Sequence, residues 1–134
     1  MTLLLPLLGV LLGAGLQYLF NRSLEGRRQL VAQKSLAYAD YFRSFATIAR
    51  SGSSKDALAV NADAKTRVCI YGSPRVISRL ADFERAGATT HSESERQIVL
   101  NLLSAMRRDI GTRRNEVGLD DLNAVLFGDI VRRR

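Results

Sequence analysis

The side chains able to do chemistry are few in this 134-residue chain: one cysteine, Cys69, one histidine, His91, and the paired acids Asp120-Asp121. A thiol beside an imidazole is the smallest nucleophile and base pair. Cys69, however, stands between Val68 and Ile70 in a helical stretch and reads as a buried thiol. One His and one Cys do not build the usual zinc site, so no metal and no cofactor is expected. Asp120 and Asp121 open a short amphipathic segment, where they read as caps and helix-dipole partners rather than cation ligands. The patterns G-x-x-x-x-G-K-[ST], G-x-G-x-x-G, H-E-x-x-H and G-x-S-x-G are all absent.

One spacing stands apart. Arg85-Ala86-Gly87-Ala88-Thr89-Thr90-His91 fits R-x5-H. It resembles the nuclease motif of HEPN domains, which are small all-α folds. The resemblance implies that Arg85 and His91 act together on an RNA phosphate in a dimeric site. Here the spacing runs from a helix end through Gly87 into a Thr-rich loop, and Ala86 stands where that family prefers a polar residue. A HEPN-like ribonuclease is therefore an alternative, and the leading expectation is a chain without catalytic chemistry.

The elements that position these residues are helical, with neither strand alternation nor an internal repeat. Leu24, Val31, Tyr38 and Phe45 recur at seven-residue steps, with Ser35, Phe42 and Ala49 as a second seam. This heptad-like pattern predicts one helix over residues 23–50. Ser53-Ser54-Lys55-Asp56 resembles a capping box and opens a helix over residues 54–71, with Leu58, Ala62, Val68 and Cys69 inward and Asn61 and Asp63 outward. Gly72-Ser73-Pro74 combines a left-handed glycine, an N-cap serine and a first-turn proline. It opens a helix over residues 74–86 with Val76, Ile77, Leu80 and Phe83 inward. Ser92-Glu93-Ser94-Glu95 is a capping box for a helix over residues 93–110, with Ile98, Val99, Leu102, Met106 and Ile110 inward. A short amphipathic helix over residues 119–127 closes at Gly128.

The N-terminus carries the strongest physical signal. Residues 3–20 are apolar except for Gln17 and hold no charge. They would rise about 27 Å as a helix, close to the roughly 30 Å of a bilayer's hydrocarbon. Pro6 falls in the first turn, where a missing N–H is tolerated. Arg22, Arg27, Arg28 and Lys34 follow at once and are read as headgroup contacts that hold the C-terminal side in the cytoplasm. The expected fold is thus all-α: one N-terminal transmembrane helix over residues 1–21, continuing into a small antiparallel helical bundle over residues 22–128, then a basic tail over residues 129–134. The expected location is a bacterial inner membrane, single-pass and signal-anchored, with the N-terminus outside. Within the apolar run, Gly9, Gly13 and Gln17 share one helix side, and Gly9 and Gly13 form G-x-x-x-G, a close-approach face between helices.

Net charge is +7, from 20 Lys and Arg against 13 Asp and Glu. The basic residues cluster after the apolar run and at Arg132-Arg133-Arg134 rather than in a stripe with interleaved aromatics, so nucleic acid is not the expected partner. An anionic inner leaflet and a second copy of the chain are. The short apolar anchor, basic helix, Ala37 to Phe42 and Tyr71 to Val76 together resemble small bacterial single-pass membrane proteins with a cytoplasmic helical domain. The resemblance implies a bacterial source and no defined activity. The leading expectation is a membrane-anchored helical interaction and oligomerisation module. An alternative is a membrane-active effector, of defence or toxin type, assembling through its transmembrane helix.

Overall fold

The structure, a computed structural model, describes residues 4–111 and 117–128, with side chains from residue 9 onward. The helices are α1 (Leu4–Ser51), α2 (Lys55–Tyr71), α3 (Pro74–Arg85), α4 (Glu93–Asp109) and α5 (Leu119–Phe127). All regular structure among the described residues is helical, as the punctuation of the sequence predicts. The chain divides into two compact units, Met1–Gln33 and Lys34–Arg134. The expected basic tail over residues 129–134 lies outside the described residues.

The expected transmembrane helix is not borne out. Among the described residues, no helix is long and apolar enough to cross a membrane. The physical reason lies in α1 itself. The apolar part of α1 ends at Phe20 and is not evenly apolar. Gly9, Gly13, Gly15 and Gln17 dilute it further, and Asn21, Arg22, Glu25, Arg27 and Arg28 follow on the same unbroken helix. The expectations of a single-pass, signal-anchored chain in an inner membrane, with its N-terminus outside, are corrected with it.

Local chemistry sets the helix ends. Gly52, at φ +82°, leaves α1 while its N–H bonds Ile48 O at 2.9 Å. Ser54 caps α2 by accepting from Ala57 N, and Ser73 caps α3 by accepting from Val76 N. Pro74 then supplies the pre-set φ of the first turn. At α4 the capping box is complete: Ser92 accepts from Glu95 N, and the Glu95 carboxylate accepts from Ser92 N. Gly72 departs from expectation. Its φ is −70°, not left-handed. A Cβ there would stand 2.5 Å from Val68 O, so glycine is required by close backbone approach instead.

The core of the second unit gathers one face from each of four helices. Ala37, Tyr38 and Tyr41 of α1 meet Ala64 and Val68 of α2, Val76, Leu80 and Phe83 of α3, and Val99, Leu102, Ala105 and Met106 of α4. Phe45 meets the Phe83 ring edge-on, with centroids 5.3 Å apart, a favoured aromatic arrangement. The inward face of α2 differs from the sequence expectation. Leu58, Ala62 and Cys69 are exposed, and Asn61 is buried. Apolar residues surround α2 on several sides, so hydropathy alone does not choose its face. A hydrogen bond from Asn61 Nδ2 to Ser44 Oγ, at 3.0 Å, satisfies the buried amide.

Candidate functional site

The residues first considered for catalysis are not joined into a site. Arg85 is the last residue of α3, exposed, and its guanidinium reaches Asp82 at 3.4 Å. His91 lies in the following loop, past the left-handed Gly87 and Ala88, and its backbone N–H donates to Glu95 Oε2 at 2.8 Å. No hydrogen bond or ion pair joins Arg85 to His91 among the described residues. Cys69 is exposed on α2. Asp120 and Asp121 occupy the first turn of α5, where their charge complements the helix dipole. Among the described residues, no group of three or more His, Cys, Asp or Glu side chains is placed to hold a metal.

Two carboxylates organise the interior of the second unit. Asp109, at the end of α4, accepts from Lys34 Nζ at 3.0 Å through Oδ1. Its Oδ2 accepts from the Tyr38 hydroxyl and from Ser73 N. Burial alone would raise the Asp109 carboxyl. The hydrogen bonds from Tyr38, Lys34 and Ser73, with the lysine charge, outweigh that and hold it below its ordinary value. The same burial, reinforced by Asp109, pushes the Tyr38 phenol well above its ordinary value. Glu84 of α3 plays the second part: its Oε2 pairs with Lys65 at 2.9 Å and its Oε1 accepts from the Tyr41 hydroxyl at 3.3 Å. Burial, then the Glu84 charge, raises the Tyr41 phenol strongly.

Lys34 is thus placed differently from the other cations assigned to headgroups. Its side chain keeps 14% exposure and its charge is committed to Asp109. The signal available in the sequence was weak, because the partner lies 75 positions away.

In the first unit the position is reversed: apolar side chains face outward. Val10, Leu11, Leu12, Leu16, Tyr18, Leu19 and Phe20 are each between 58% and 71% exposed. At about 3.6 residues per turn these positions point around the whole circumference of the helix. A Cβ built on Gly9, Gly13 or Gly15 meets nothing within 4 Å. Gln17 is exposed beside them, and so are Arg22, Arg27 and Arg28.

Comparison with models of protein families, with curated proteins and with solved structures finds no match. The functional reading therefore rests on the chemistry of the chain's own residues.

Proposed function

We propose that this chain is a helical interaction module that self-associates through the apolar N-terminal part of α1. The observation behind the reading is the all-round exposure of large apolar side chains over residues 10–20. A surface helix of a folded domain shows one apolar stripe and one polar face. A helix apolar on every side requires neighbours on every side, and further copies of the same helix supply them with matching length and chemistry. Open glycines at Gly9 and Gly13 permit close approach of such neighbours, and Gln17 is the polar position that would set their register. At roughly 25 cal/mol per Å² of apolar surface removed from water, residues of this size contribute substantially when covered.

The test is the mass of the full chain in solution by light scattering coupled to size exclusion. Wild type should run as an oligomer. A Leu12→Lys/Leu16→Lys variant, unchanged in circular dichroism per residue over the second unit's helices, should run as a monomer. A wild-type monomer at the highest workable concentration would end the proposal, as would a variant with the wild-type mass.

A further inference from the structure

A second surface, within the unit Lys34–Arg134, carries an inference independent of self-association. Arg75 and Arg79 stand four apart on α3 and so share one helix side. Asn101, Ser104, Ala105 and Arg108 follow the same helical spacing on α4. Packing of α3 on α4 brings the two rows to the rim of one hollow of about 350 Å³, in the size range of small-molecule sites. Its third side is the start of α5, at Gly118 and Leu119.

The lining is rich in donors. Three guanidinium groups border the hollow, and among the described residues that line it there is no carboxylate. Arg75 makes no ion pair among the described residues, while Arg79 also reaches Asp82 at 3.4 Å. The Asn101 carbonyl accepts from Gln97, which leaves its amide N–H groups as donors. Ser104 is half-buried and Ala105 is buried, and both line the hollow. The first turn of α5 begins at Gly118 with no side-chain cap, so its early N–H groups are not satisfied by a capping side chain. Forked guanidinium donors with neutral donors between them match a tetrahedral oxyanion with several lone pairs.

We infer that the hollow between α3, α4 and the start of α5 binds the phosphate group of a small soluble molecule. Arg75, Arg79 and Arg108 supply the charge, and Asn101 and Ser104 direct the phosphate oxygens. The probe is inorganic phosphate, titrated into the full chain at low salt and followed by calorimetry and phosphorus NMR. Saturable binding that weakens as salt rises is expected. Arg75→Gln and Arg79→Gln should each weaken it about tenfold, the scale of one charge-assisted hydrogen bond. Arg43→Gln, which removes an exposed arginine paired with Asp40, should leave it unchanged. Circular dichroism of each variant separates lost binding from lost fold. Absence of saturable binding overturns the inference, and so does an equal loss in Arg43→Gln. Tight binding of single-stranded RNA with weak phosphate binding, and losses spread evenly over all arginine variants, also overturns it in favour of a diffuse basic surface.

Discussion

Replacing Asp109 by alanine is the perturbation that most directly tests how the second unit is held together. The change removes the partner of Lys34 and the acceptor for both the Tyr38 hydroxyl and Ser73 N–H. Removing one member of a buried ion pair costs about 3–5 kcal/mol. Lys34 and Asp109 retain 14% and 10% side-chain exposure, which places the loss at the lower end of that range. The two orphaned donors add about 1 kcal/mol between them, since both hydrogen bonds are only part-buried. A total of about 4 kcal/mol is a large share of the 5–15 kcal/mol typical of a whole domain. It corresponds to a fall in melting midpoint of roughly 15–30 °C for a unit of this size. Urea unfolding followed by far-ultraviolet circular dichroism reads the loss directly. The double variant Lys34→Met/Asp109→Leu removes the stranded ammonium and should recover most of it, leaving only the cost of the two orphaned donors. A loss below about 1 kcal/mol for Asp109→Ala would place this pair with ordinary surface ion pairs and refute the reasoning. A double variant no more stable than the single one would refute it equally.

Three further expectations follow from the same unit. Because the folded Asp109 carboxyl lies below its ordinary value, its contribution is present above about pH 4, the unfolded value, and fades as pH falls through the lower folded one. Urea midpoints at neutral and acid pH should therefore diverge more for wild type than for Asp109→Asn. The raised Tyr38 and Tyr41 phenols work in the opposite direction, with full stability below about pH 10 and loss as pH rises beyond it. Gly72→Ala drives a methyl to 2.5 Å from a backbone carbonyl and should cost about 1–3 kcal/mol, again read from the urea midpoint.

What was legible in the sequence was mostly local. The caps at Ser73 and Ser92, the first-turn Pro74 and the closing Gly128 are decided by residues within four positions of one another, and the structure places them as expected. The face of α2 was not legible, because Asn61 is turned inward by Ser44, which belongs to another helix. Lys34 was read as a headgroup contact for the same reason: nothing near it announces Asp109. The arginine hollow was half legible. The spacing of Arg75 and Arg79 is visible in the chain, but their meeting with Arg108 depends on how α3 lies against α4. The apolar N-terminus was legible as a surface that must be covered. Hydropathy does not say what covers it, and among the described residues no helix is long and apolar enough to cross a membrane.

The two phenols on α1 have a consequence for registration. Imagine α1 sliding by one turn against its neighbours. Phe42 would then take the place of Tyr38, and Phe45 that of Tyr41. Aromatic would replace aromatic at these two places, while Ala37, giving way to Tyr41, and the buried Ser44, giving way to Ile48, would object on grounds of size. Asp109 and Glu84 would object on grounds of chemistry, since each would face a ring with no hydroxyl to offer. Buried polar contacts of this kind often contribute little net stability, yet they separate alternatives that greasy packing treats as near equals. The carboxylates act as pawls: the aromatic ridge could engage at several notches, and the two hydroxyls let it rest at one.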